Sequence, residues 1–346
     1  MRVILYFLLF CVLMGIPVSS FAYDVPLIEA AKNGDITNIK KALLRGDDIN
    51  AQDKEGLTAL MFASFRGKSE AIKFLLENRA DINAQNKKGG TALMLAIVAG
   101  ETKVVKILLE NKADIHAQLE DGGTPLIAAA IDGNTEIVNI WLENRADINV
   151  KDKYGRTALM WAAITGRTEI VKILLENRAN ISAQDKDGRT ALIWASGCGQ
   201  TEAIKVLLKN RADINAQNKD GWTALMVASQ NGHTETVNLL LENRADIHAQ
   251  DKNDVTALML AAGSGRTEVV KILLENRANI HGQAKVGVTA LMFAAGFGHT
   301  EVVKILLENR ANPNQKLTTG VTALQLARNN KHTGVIALLK QYGARE

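Results

Sequence analysis

Apolar positions along the chain recur with a period of 33 residues, most clearly between Thr157 and Gly188. Leu159, Ala162 and Ala163 make an apolar stripe at helical spacing, and Gly166 ends it. Ile170, Val171, Ile173, Leu174 and Leu175 predict a second helix, closed by Asn177-Arg178. Thr157 suits the N-cap of the first helix, because its hydroxyl accepts an orphan N–H of the first turn. Asp185-Lys186-Asp187-Gly188 reads as a turn tip. The capping Thr recurs at Thr58, Thr91, Thr124, Thr157, Thr190, Thr223, Thr256, Thr289 and Thr322. Neither predicted helix is long enough to be stable alone, so the burial of each unit must come from its neighbours. A fixed period of this kind means a stacked repeat architecture.

The unit resembles the ankyrin repeat, whose hallmark is a 33-residue unit opening Thr-Pro-Leu-His-x-Ala. The resemblance covers about residues 24–346 and rests on the period, Thr-x-Leu, the Gly after helix one and the Leu-Leu of helix two. It implies an all-α solenoid of about ten helix–turn–helix units. Two departures stand out. Among the units that open with Thr the Pro survives only at Pro125, and the His is replaced by Met61, Met94, Ile127, Met160, Ile193, Met226, Met259 and Met292. In the family that His braces neighbouring loops, so its loss implies loops here that depend more on apolar packing.

Residues 24–56 form an N-terminal cap unit, 57–320 eight internal units and 321–346 a C-terminal cap unit. Polar residues at both ends support this division: Lys32, Asn33, Asp35, Asn38, Lys40 and Lys41 at the start, and Gln325, Arg328, Asn329, Asn330 and Lys331 at the finish. Gly46 and Gly343 occupy the usual left-handed position after helix two. The internal units carry Arg79, Lys112, Arg145, Arg178, Arg211, Arg244, Arg277 and Arg310 there. Either the preceding Asn takes the left-handed role, or the cations gain from the helix C-terminus and from carboxylates such as Glu77 and Glu110. Asp254 stands where other units have Gly56, Gly89, Gly188 or Gly221, which predicts one distorted tip.

The first 22 residues follow another pattern. A basic Arg2, an apolar run from Val3 to Ile16 and a small-x-small Ser20-Phe21-Ala22 read as a secretory signal peptide. The mature chain, 23–346, is then exported to the periplasm or secreted, with no membrane span left after cleavage. The formal charge of +4 falls to +3 once Arg2 is removed, and both signs alternate in every unit. This is a solvated surface and not a nucleic-acid footprint. Cys11 leaves with the signal, so Cys198 is alone, near the end of a first helix. It reads as a small semi-buried residue, with a redox role as the alternative.

No catalytic or cofactor constellation is present. Histidines 116, 233, 248, 281, 299 and 332 sit at repeat-equivalent positions, about 8–10 Å apart in adjacent units, too far to share a metal. The pairs Met160-Trp161, Ile193-Trp194 and Met292-Phe293 read as core packing between units. Binding is what the resemblance implies: turn tips and helix one line a concave groove, and those positions vary while the framework repeats. Tyr154, Arg156, Arg189 and Trp222 are residue types enriched in hot spots and are the candidate partner-binding residues. The competing reading folds Trp222 against the neighbouring turn and pairs Arg156 with Asp187. The expected function is a monomeric, non-enzymatic scaffold for a protein partner. A secreted effector that binds a host protein, or a redox or small-molecule role at Cys198, is the alternative.

Overall fold

A computed structural model describes residues 26–144 and 146–345. The expected signal peptide lies outside the described residues. Among these, 20 α-helices form roughly ten pairs, with no strand or sheet. The first helices are Pro26–Asn33, Ala59–Phe65, Ala92–Val98, Pro125–Asp132, Ala158–Thr165, Ala191–Gly197, Ala224–Asn231, Ala257–Gly263, Ala290–Phe297 and Ala323–Asn329. The second helices are Ile36–Leu44, Ser69–Glu77, Thr102–Glu110, Thr135–Glu143, Thr168–Glu176, Thr201–Lys209, Thr234–Glu242, Thr267–Glu275, Thr300–Glu308 and Thr333–Gln341.

Two compact units divide the chain. One runs to Trp161 and includes Glu176–Ala179; the other comprises Ala162–Leu175 and the residues from Asn180 on. In the first, Leu27, Leu60 and Leu93 of successive first helices are buried over Ile39, Ile72 and Val105 of the second helices. In the second, Leu192, Leu225, Leu258, Leu291 and Leu324 are buried with Leu207, Leu240, Leu273, Leu306 and Leu339. Each such side chain contributes about 1.5–3 kcal/mol on burial. This offsets the poor intrinsic stability of helices only seven to nine residues long. Within each unit, the alanines beside these leucines let consecutive first helices approach closely.

The Thr caps form as expected. Thr58 accepts the Met61 N–H at 3.3 Å, Thr157 that of Met160 at 3.4 Å and Thr289 that of Met292 at 3.3 Å. Thr256 is the exception, and its buried hydroxyl has no partner.

At the end of helix two the cations themselves take the left-handed conformation, from φ 65° at Lys112 and Arg211 to 67° at Arg79, Arg244 and Arg310. The preceding Asn has another role. Its side-chain amide donates to the carbonyl four residues back, as in Asn78 to Phe74 at 2.8 Å and Asn243 to Leu239 at 2.8 Å. The left-handed residue turns the chain so that the next N–H closes on the helix, as in Ala80 to Leu75 O at 3.0 Å. That bond and the Asn cap, each about 0.5–1.5 kcal/mol, offset the ~1–2 kcal/mol of a non-Gly left-handed residue.

The tips differ from two expectations. They are braced by hydrogen bonds, not by apolar packing alone. Where Asp or Asn opens a tip, as at Asp53, Asn86, Asp152, Asp185, Asn218 and Asp251, its side chain accepts two backbone N–H groups, and a ladder joins consecutive tips: Lys87 N–H to Glu55 O at 3.1 Å in the first unit, Lys252 N–H to Asp220 O at 2.9 Å in the second. The tip at Asp254 is also regular. Asp254 adopts φ 61° in place of the usual Gly, a conformation Asp tolerates, and its N–H reaches Asp251 O at 3.0 Å. The distortion lies one repeat later, where Val286 at φ 59° sits inside a short 3-10 turn, Lys285–Gly287. Ala284 replaces the acidic acceptor there, so no carboxylate holds the two N–H groups of the tip.

Candidate functional site

Asp152 opens one tip and is buried. Its Oδ1 accepts the N–H groups of Tyr154 at 2.8 Å and Arg156 at 2.9 Å. Its Oδ2 accepts Arg156 Nε at 2.9 Å and the Trp161 indole N–H at 3.1 Å. The carboxylate is thereby satisfied on both oxygens, the condition under which a buried charge is tolerated. The Arg156 guanidinium lies 4.0 Å from the centre of the Trp161 ring and 4.4 Å from that of Tyr154. It is held between two aromatic faces, an arrangement worth about 0.5–2 kcal/mol per face. Tyr154 remains 50% exposed.

The same construction recurs 33 residues on, within the second unit. Asp185 Oδ1 accepts the N–H groups of Asp187 and Arg189, and its Oδ2 accepts the Trp194 indole N–H at 2.9 Å. Arg189 lies 4.3 Å from the Trp194 ring centre and pairs with both Asp185 and Asp187. In the following repeat Asn218 holds the tip, and the half-buried Trp222 donates its indole N–H across to Asp251 Oδ2 at 3.1 Å.

Tyr154 and Arg156 thus meet in one cluster of the first unit, while Arg189 and Trp222 sit at successive tips of the second. Arg156 pairs with Asp152 and not with Asp187, because Asp152 is four residues away across its own turn. Trp222 does fold against the neighbouring turn. Met160, Ile193 and Met292 are buried core. Trp161 and Trp194 are half-buried and belong to the tips, where their indole N–H groups donate to the tip aspartates. The signal for these missed residues was the spacing Asp152…Arg156…Trp161, repeated as Asp185…Arg189…Trp194.

The remaining chemistry-bearing residues are placed structurally. His233, His299 and His332 each point Nε2 at a carbonyl of the preceding repeat, Gly197, Gly263 and Gly296, at 3.0 Å. Cys198 caps the helix Ala191–Gly197 and forms no disulfide. Among the described residues no three His, Cys, Asp or Glu come together as metal ligands, and no helix is long and apolar enough to cross a membrane. The second helices carry solvated i,i+3 pairs such as Lys172–Glu169 and Lys205–Glu202. A hydrogen bond from Glu202 raises the Lys205 pKa, and one from Glu136 raises that of Lys106. Both lysines lie on the exposed face of their helices.

A family model described as ankyrin repeats (3 copies) matches residues 27–119, 111–185, 177–251, 199–284, 240–317 and 258–345. No curated protein matches the sequence. With overlapping matches from residue 27 to 345 laid over helix pairs of 33-residue period, the chain belongs to the ankyrin repeat family.

Proposed function

We propose that the protein is a non-enzymatic scaffold, exported from the cytoplasm to the periplasm or beyond, that captures a partner protein through its turn tips. Ankyrin repeats are generally protein–protein interaction modules. Tyr154, Arg156, Arg189 and Trp222 are the residues that would anchor the partner. The observation that carries this reading is the Tyr154–Arg156–Trp161 stack, an aromatic and cationic surface fixed by a buried carboxylate and left half open to solvent. Side chains already locked in place lose little entropy on binding. Because Asp152 and Asp185 neutralise the two arginines, contact through the aromatic faces outweighs attraction of an acidic group. Delivery to a host protein would use the same surface.

The test is affinity capture from the cell envelope and culture medium of the source organism, with the mature chain and its Tyr154→Ala and Trp222→Ala variants. One protein held by the native chain and released by either variant, with the melting temperature kept within about 4 °C, supports the site. Equal retention by all three chains removes these residues from the interface.

A further inference from the structure

Three consecutive tips of the second unit carry different chemistry from those at Asp152 and Asp185. Val255, Val288 and Val321 stand at the position of Arg156 and Arg189, each closing the same turn: Asp251 N–H to Val255 O at 3.0 Å, Ala284 to Val288 at 2.8 Å, Leu317 to Val321 at 2.8 Å. Leu260, Phe293 and Leu326 replace Trp161 and Trp194 on the first helices. All six are half-buried. A Cβ placed on Gly263 would come within 3.3 Å of Phe293 Cδ1, so this ring lies over the preceding first helix. Phe297, one helical turn further along the same face, is 64% exposed, and the strained Val286 is 58% exposed. A β-branched residue held left-handed at an exposed tip is unusual.

The charges beside this strip are also unsatisfied. Lys252 and Lys285 are exposed at equivalent positions of two tips and Lys316 one residue before the third, and among the described residues none has a carboxylate within ion-pair reach. Asp251 is occupied by Asn253, Val255 and Trp222, which leaves Asp254 as the one carboxylate available there. The ladder Lys285 N–H to Asn253 O at 2.9 Å and Thr318 N–H to Val286 O at 3.0 Å holds the three tips in register.

We infer that this strip binds an extended, acidic segment of a partner protein in the polyproline II conformation, with an apolar residue at every third position. The inference rests on the protein-binding reading but not on the tips at Asp152 and Asp185. The apolar pairs recur once per repeat, about 8–10 Å apart. A polyproline II segment advances about 9 Å in three residues and returns every third side chain to the same face. A β-strand covers a similar distance in three residues but turns alternate side chains away. An α-helix meets the spacing only at every seventh residue and lays a body about 10–12 Å wide on a strip two side chains across. The three lysines select carboxylates between the apolar residues.

The experiment is titration of the full mature chain with a labelled (Leu-Pro-Glu)4 peptide. The controls are a scrambled peptide of the same composition and a helical peptide with leucine at every seventh position. The periodic peptide is expected to bind at least about tenfold more tightly than either control. Phe297→Ser and Lys285→Glu are each expected to weaken it about tenfold, while Tyr154→Ala leaves it unchanged. Both replaced side chains are exposed, so circular dichroism and melting should match the native chain. Equal affinity for the scrambled peptide, or preference for the helical one, overturns the proposal. Loss of binding in Tyr154→Ala also overturns it, by moving the interaction to the other tips. Failure here together with loss of partner capture in Tyr154→Ala would sink this inference and leave the proposed function intact.

Discussion

The tips at Asp152 and Asp185 and the tip at Ala284 occupy the same place in the repeat and behave in opposite ways. In the first two, one carboxylate holds two backbone N–H groups, an arginine and an indole. The result is a regular turn with its charge neutralised and its aromatic rings aligned. At Ala284 the acceptor is missing, Val286 takes up a left-handed strain, and the surface turns apolar with Lys285 unpaired. The framework of helices is common to both, and the residue at the opening of the tip sets whether a carboxylate is there to hold an arginine and an indole. Leucines and alanines stack the repeats in the same way throughout, while the tip residues add stability of their own and differ in the chemistry they present.

Breaking the regular tip should have the largest effect. Asp152→Ala leaves the Arg156 guanidinium and Trp161 N–H without their acceptor, and a cost of about 2–3 kcal/mol is expected, read by urea unfolding followed by fluorescence and circular dichroism together. The reverse change, Ala284→Asp, should restore the acceptor for two N–H groups and stabilise by about 1 kcal/mol. It should also shift the Val286 amide resonance by more than those of its neighbours. Val286→Gly should relieve the left-handed strain and raise stability by about 0.5–1 kcal/mol. If Val286→Gly destabilises, the side chain has packing partners that outweigh its strain. The smallest effect belongs to the helix ends, where Arg277→Gly should stabilise by about 0.5 kcal/mol and Gly46→Arg should destabilise by a similar amount, both read as shifts in urea midpoint.

The 33-residue period, the Thr caps and the leucine core were legible because each follows from local spacing alone. The role of Asn78 and its equivalents was not, since a side-chain amide that bonds four residues back looks in sequence like any polar helix end. Trp161 and Trp194 were misread for a related reason. Their spacing fits a core helix position, and only the fold of the tip, nine residues upstream, shows that Asp152 and Asp185 offer an acceptor for the indole. The distorted tip was expected at Asp254, where a Gly was missing. Asp254 tolerates the left-handed backbone, and the irregular residue is Val286, in a tip opened by Ala284; the tip opened by Leu317 also lacks a carboxylate yet keeps only Gly320 left-handed, so the missing acceptor alone does not set the distortion.

A double-mutant cycle between Asp152 and Trp161, using Asp152→Ala, Trp161→Phe and the pair, bears most directly on the claim that the tip carboxylate organises the aromatic surface. A coupling energy of about 1–2 kcal/mol is expected for this buried hydrogen bond. Additivity within about 0.3 kcal/mol would mean that the Trp161 ring is held by packing alone and that the tip aspartate does not set what the surface presents.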